Sequence, residues 1–99
     1  MKLSAETIQN NWVTFNNNIE TFISGERKQK LLDFYNKYED RIILMPASHK
    51  KEYHSAFPGG YVDHVNRVVS GALAMSATWE KFGCDMTTFT QEELVFSAI

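Results

Sequence analysis

The three histidines of this sequence, His49, His54 and His64, are the residues best suited to metal or phosphate chemistry. A neutral imidazole binds divalent metals, and a protonated one pairs with anions. The intervals of five and ten residues do not match the i, i+4 pair that binds zinc from one helix face. A lysine-containing phosphate loop and a Gly-x-Ser-x-Gly nucleophile elbow are absent as well. Taken singly, His64 is better explained as a structural histidine, so its role depends on the elements that position it.

The composition limits the class of protein to which these histidines belong. The chain has 99 residues, of which 43% are hydrophobic and 22% charged, as in an ordinary globular domain. A net charge of −2 gives no general affinity for nucleic acid or for an anionic membrane. The single cysteine, Cys84, excludes an internal disulfide and a cysteine-based zinc cluster. No apolar run is long enough to span a bilayer and no export signal is apparent, so we expect a cytoplasmic protein without a membrane contact.

Helical periodicity dominates the first half of the chain. A first helix from about Ser4 to Ile23 is predicted by an apolar stripe at intervals of four and three, formed by Ile8, Trp12, Phe15, Ile19 and Phe22. Ser24 could cap a second helix that continues to about Arg41. Its apolar and aromatic residues, at helical spacing, are interpreted as core: Leu31, Leu32, Phe34, Tyr35, Tyr38 and Ile42. Residues 1–45 are therefore predicted to form an N-terminal helical region.

A polar connection follows, and it contains two of the three histidines. Pro46 ends the preceding apolar run, and Pro58-Gly59-Gly60 closes the connection with strong turn residues. Functional side chains are often placed on such loops, although a solvated connector is the simpler interpretation.

A third helix is predicted from Tyr61 to about Phe82, and it is apolar almost all round. Gly83 is the residue expected just past its end. The ionisable residues Asp63, His64 and Arg67 all lie near its beginning. This pattern predicts a helix buried on most sides, with its polar end open to a cleft. One stripe runs along its whole length and is formed by Tyr61, Val65, Val68, Ala72, Met75, Trp79 and Phe82.

A last helix is predicted to start at a capping box. In it, the Thr90 hydroxyl accepts a hydrogen bond from the backbone amide of Glu93, and the Glu93 carboxylate accepts one from the amide of Thr90. The apolar residues of this last helix are Leu94, Val95, Ala98 and Ile99. They are expected to pack on the third helix, against Val65, Val69 and Trp79. No strand pair is predicted, so the fold class is all-α.

A contiguous segment around His64 resembles the opening of HD-domain metal-dependent phosphohydrolases. The residues that carry the resemblance are Met45-Pro46-Ala47-Ser48 and then Tyr53-His54-Ser55-Ala56-Phe57-Pro58-Gly59-Gly60-Tyr61-Val62-Asp63-His64. They are most similar to the branch that includes certain 3′–5′ exoribonucleases and relaxase-associated HD domains. The resemblance implies that residues 46–99 are the first part of an HD domain and that His64 is its first metal ligand.

The resemblance also implies a chemistry for the complete domain. A divalent metal, whether manganese, magnesium, iron, nickel or zinc, would activate water to hydrolyse a phosphoester of a nucleotide or nucleic acid. By the resemblance, His54 would contact the substrate phosphate or a metal-bound water. Arg67 lies one turn after His64, and from this position it could pair with a phosphate. A structural hydrogen bond is the alternative for His54, and an i, i+4 salt bridge to Asp63 is the alternative for Arg67.

The adjacent His-Asp pair that the family requires is missing, because no histidine follows His64. The apolar run from Leu94 to Ile99 is similar to the segment that precedes this pair. We therefore expect the chain to be an N-terminal fragment that contains no confident catalytic residue, is inactive alone and self-associates through uncovered apolar surface. Two alternatives remain: a metal-free HD-like regulatory or binding module, and a small helical interaction protein that uses the aromatic stripes of the first two helices.

Overall fold

The computed structural model describes residues 2–48 and 56–99, which form five helices and no strand. The all-α prediction is confirmed. The helices are α1 (Ala5–Phe22), α2 (Gly25–Lys37), α3 (Glu39–Ile42), α4 (Gly60–Lys81) and α5 (Gln91–Ala98). No helix in the described part of the chain is long and apolar enough to cross a membrane.

Helix α1 forms as its apolar spacing predicts. The hydroxyl oxygen of Ser4 accepts a hydrogen bond from the amide of Thr7, which caps the first turn. Three residues of the stripe, Trp12, Phe15 and Ile19, are buried. Aromatic packing joins this face to α2, because the ring of Phe15 meets that of Tyr35 edge-on with centroids 4.8 Å apart.

The second predicted helix is divided in two, and its aromatic residues are only partly buried. Helix α2 ends at Lys37, and Tyr38 leaves the helical region with φ −109° and ψ 20° before α3 begins. The prediction that all of its aromatics lie in the core is wrong for Phe34 and Tyr38, which are 52% and 36% exposed. Successive helix residues point about 100° apart. Because Tyr35 faces α1, the neighbouring Phe34 is turned away from α1 and lies at the surface.

The start of α4 is held against two other parts of the chain. Gly59 has φ +81°, and a Cβ atom there would lie 2.8 Å from Cγ1 of Ile8 in α1. The amide of Gly59 donates to the carbonyl of Leu44, and the amide of Tyr61 donates to that of Met45. Because these bonds involve the first turn of a helix, they fix its direction as well as its position.

Helix α4 is buried on one face only. Val62, Val65 and Val69 are at most 5% exposed and share the core cluster with Val95 of α5. The neighbouring face, which carries the later part of the stripe predicted to be buried, is open: the exposed fractions are 38% at Val68, 62% at Met75, 51% at Trp79 and 77% at Phe82. Helices α1 and α5 both contact α4, and they pack on its valine face.

The packing predicted for α5 is confirmed for Val95, Ala98 and Ile99, whereas Leu94 is half-buried outside this core cluster. Val95 is buried, and Ala98 and Ile99 pack on the cluster that contains Val65 and Val69. Trp79 takes no part in this core, because it belongs to the open face of α4.

The C-terminal end of α4 and the N-terminal start of α5 have the caps that the sequence predicts. Gly83, with φ +91°, forms a Schellman motif: its amide donates to the carbonyl of Glu80, and that of Cys84 donates to the carbonyl of Trp79. Thr90 and Glu93 form the reciprocal capping box. Ser24 precedes α2, but its hydroxyl donates to Glu92 of α5 at 2.7 Å instead of capping α2.

Candidate functional site

His64 lies where the sequence predicts it, in the second turn of α4 and half-buried. His64 is not without an interaction partner in the folded chain. The residue one turn further on, Val68, is exposed, whereas Val65 and Asn66 are buried. Since residues four apart share a helix face, His64 lies at the boundary between the core and the open face of α4. The predicted substrate contact His54, like His49, lies outside the described residues.

Asp63 precedes His64 but serves a different purpose. Its side chain is only 12% exposed, and its Oδ1 atom accepts a hydrogen bond from Nδ2 of Asn11 in α1 at 3.2 Å. The second carboxylate oxygen accepts from Nε of Arg67 at 3.0 Å. Because adjacent helix residues point about 100° apart, this carboxylate belongs to the α1–α4 interface and does not share a site with the imidazole.

Arg67 forms the ion pair with Asp63 that was the alternative to phosphate binding. The arginine side chain is 67% exposed, so an anion can approach the guanidinium group from solvent. The pair orients the arginine at the end of α4 where His64 also lies. Whether Arg67 contacts a substrate stays a prediction.

Asn66 is a polar residue of this region that sequence reasoning missed. It is 8% exposed, and its Nδ2 donates to the backbone carbonyl of Asn11 at 2.9 Å. Its Oδ1 is buried and finds no hydrogen-bond partner within residues 2–48 and 56–99. The sequence offered one signal: Asn66 follows Asp63 by three residues, which places both on the side of α4 that faces α1.

The tyrosine pair Tyr35 and Tyr61 links α2 to the first turn of α4. Burial raises the pKa of Tyr35 to about 12, and the charge of Tyr61 and a hydrogen bond to its side chain act in the same direction. Tyr35 therefore stays neutral at physiological pH. Together with the contacts of Gly59, this pair ties the beginning of α4 to the N-terminal helices.

The described residues do not by themselves assemble a metal centre. Within the ranges that the structure describes, no group of three histidine, cysteine, aspartate or glutamate side chains could hold an ion. A stable site usually needs at least three protein ligands, and the resemblance assigns that role to His64 alone in this chain. The ligand set implied by the HD resemblance is therefore not complete in this part of the chain.

Comparison of the chain with family models, with curated proteins and with solved structures found no match.

Proposed function

We propose that this chain supplies the first metal-ligand histidine of an HD-type phosphohydrolase. In the complete domain, the enzyme would hydrolyse a phosphoester of a nucleotide or nucleic acid with a bound divalent metal. The proposal starts from the segment that runs from Tyr53 to His64, whose residues are similar to the family's opening motif. The proposal places the family's adjacent His-Asp pair outside these 99 residues, since no histidine follows His64.

The observation that supports the proposal best is the way in which His64 is positioned. It follows a helix start that is held on both sides, by Ile8 against Gly59 and by the carbonyls of Leu44 and Met45. A metal ligand must be held within a fraction of an ångström, and a helix anchored in this way provides such rigidity. The side chain also lies next to the open face of α4, where other ligands could reach it.

Arg67 has a defined part in this proposal. Its ion pair with Asp63 holds the guanidinium group one turn from His64, and the exposed guanidinium edge could bind a substrate phosphate by two parallel hydrogen bonds. His54 is proposed as a second phosphate contact. The metal, when bound, would supply the Lewis acid that polarises the phosphoryl oxygen.

The sequence of the gene on both sides of these codons tests the proposal directly. An adjacent His-Asp pair shortly after Ile99, with a further aspartate later, is the expected result. A complete reading frame without such a pair would overturn the enzyme and favour a metal-free HD-like module, in which His64 has only a structural role.

A small helical interaction protein is a second candidate, favoured by the aromatic surface of α2. Phe34 and Tyr38 are both exposed, and their ring centroids lie 5.2 Å apart. Exposed aromatic residues are common at protein interfaces. This candidate requires neither a metal nor the His-Asp pair, so the same gene sequence separates it from the enzyme.

A further inference from the structure

A strip of alternating basic and aromatic residues runs along the surface of α2 and into α3. We call it the basic–aromatic strip, and it consists of Lys30, Phe34, Lys37, Tyr38 and Arg41. Residues three and four apart are neighbours on a helix, so Lys30, Phe34 and Lys37 share one face of α2. All five residues of the strip are exposed, and the exposed fractions of the two rings are 52% at Phe34 and 36% at Tyr38.

Side-chain contacts join the later residues of the strip to one another. The ring centroids of Phe34 and Tyr38 lie 5.2 Å apart, and Nζ of Lys37 lies 5.5 Å from the centroid of the Tyr38 ring. Lys37, Tyr38 and Arg41 also line one surface cavity of about 270 Å³, together with Asp40. Two cations and one carboxylate thus surround the tyrosine ring. A group that stacks on Tyr38 therefore meets positive charge beside it.

The cations of the strip are only loosely held by acidic residues. Nζ of Lys30 lies 3.3 Å from a carboxylate oxygen of Glu26, but both side chains are at least 75% exposed. A fully solvated ion pair of this kind contributes little, so that a phosphate can displace it. Within residues 2–48 and 56–99, neither Lys37 nor Arg41 forms an ion pair with a carboxylate.

We propose that the basic–aromatic strip binds single-stranded nucleic acid. Bases would stack on Phe34 and Tyr38, and phosphates would pair with Lys30, Lys37 and Arg41. Every base has a flat face that can stack on an aromatic ring, so this binding does not depend on sequence. It requires neither a metal nor His64, and it is therefore independent of the proposed hydrolysis.

The composition of the strip favours nucleic acid over a protein partner. Interfaces between proteins are enriched in aromatic residues but depleted in lysine, whereas two of the three cations of the strip are lysines. A single strand of nucleic acid alternates phosphates with flat rings, which matches the alternating order of the strip. Because the whole chain has a net charge of −2, the attraction is confined to this surface and should weaken steeply with salt.

Fluorescence anisotropy with a labelled oligothymidylate of about 12 nucleotides tests the binding. With a chelator present and about 50 mM salt, we expect a dissociation constant on the order of 10 µM. Three cations contact phosphates, so the logarithm of the association constant should fall against the logarithm of the salt concentration with a slope of about −2. A chain that shows no binding up to about 1 mM would overturn the proposal and leave the two rings to a protein partner.

Substitution of the rings tests the stacking. Phe34→Ala should weaken the binding about 10-fold, whereas Trp79→Ala on α4 should not change it. These variants are matched, because Phe34 is 52% exposed and Trp79 51%. Tyr38→Ala should also weaken the binding, and Tyr38→Phe should retain it, since phenylalanine keeps the ring. Equal losses in the first pair or in the second would overturn the stacking, provided that circular dichroism shows the same helix content in all four variants.

Lys37→Gln and Lys81→Gln test the contribution of the cations. Each lysine is the last residue of its helix, α2 or α4, so that both variants remove one positive charge from an equivalent position. Only Lys37→Gln should make the salt dependence shallower, by about 0.7 in the slope. A chain of inorganic polyphosphate, which has no bases, should bind at least about 10-fold more weakly than the oligothymidylate. Equal slopes for the two variants, or equal affinities for the two polyanions, would show that net charge alone attracts the probe and would overturn the proposed site.

Discussion

Asp63 shows how a charged residue beside a candidate ligand can be entirely structural. Its two carboxylate oxygens accept hydrogen bonds from Asn11 and Arg67. The first bond joins α4 to α1, and the second lies within α4. Asn66, one turn later, has the opposite balance: its amide nitrogen is paired, but its buried oxygen has no partner among the residues that the structure describes. An unpaired buried acceptor costs about 1–3 kcal/mol. The two side chains therefore affect stability in different directions.

Replacing each of these residues by leucine should separate the two effects. Asn66→Leu removes the unpaired acceptor together with one hydrogen bond, so we expect the free energy of unfolding to change by less than about 1 kcal/mol. Asp63→Leu leaves the Asn11 amide without its partner and should destabilise the chain by about 2 kcal/mol. Urea denaturation of both variants measures the difference. Equal losses would mean that the Asn66 oxygen has a partner in the folded protein.

A pair of glycines tests how firmly the start of α4 is held. Gly59 and Gly83 both have positive φ, at +81° and +91°, but only Gly59 has neighbours within 4 Å of an added Cβ. Gly83→Ala should therefore cost about 1 kcal/mol, for the left-handed backbone alone. Gly59→Ala should cost about 2–3 kcal/mol, because the new methyl group would also collide with Ile8. Thermal unfolding measures both values, and similar losses would show that Ile8 moves aside easily.

The sequence predicted single elements better than it predicted which faces they share. The stripe of α1, the Schellman glycine and the Thr90 capping box depend on residues close together in the chain, and all three are confirmed. The burial of Phe34 and Trp79 was predicted wrongly, because several helix faces were apolar and the pattern does not say which of them meets a neighbour. For the candidate site, the helical position of His64 could be predicted, whereas the bond between Asn11 and Asp63 joins residues 52 positions apart.

The contact between α2 and α4 gives a prediction for alkaline pH. The pKa of Tyr35 is raised to about 12 in the folded protein, above its ordinary value of 10.0. Between these values the unfolded chain loses the proton while the folded chain keeps it, so stability is fully present below pH 10.0 and is lost as the pH rises towards 12. Tyr35→Phe should show a smaller loss of stability over this interval than the wild type.

Tyr38→Phe is the matched control for this measurement, because Tyr38 is an exposed tyrosine directly after α2. Denaturant unfolding at a series of pH values should give the wild-type pH dependence for this variant. The same reduction in both variants would show that the Tyr35 environment is not responsible.

At the scale of the whole molecule, the helices form a thin layer around α4. The principal extents are 40, 33 and 22 Å, and the radius of gyration of 14.7 Å exceeds the value of about 13 Å for a compact chain of 100 residues. Such a shape covers α4 where its valines meet α1 and α5, and it leaves Val68, Met75, Trp79 and Phe82 exposed. His64 lies at the edge of that uncovered side, so whatever covers it also determines the surroundings of the imidazole.

Because His64 is incompletely enclosed, we expect the 99-residue chain to bind divalent metal only weakly. The one proposed ligand, His64, cannot hold a divalent ion tightly, and we expect calorimetric titration with manganese to give a dissociation constant weaker than about 0.1 mM. His64→Ala should change that weak binding little, because isolated surface sites would account for most of it. A sub-micromolar, one-to-one site that His64→Ala abolishes would contradict this expectation. The double variant His49→Ala/His54→Ala would then show whether the missing ligands come from the segment between Ser48 and Ala56, since only those two histidines remain.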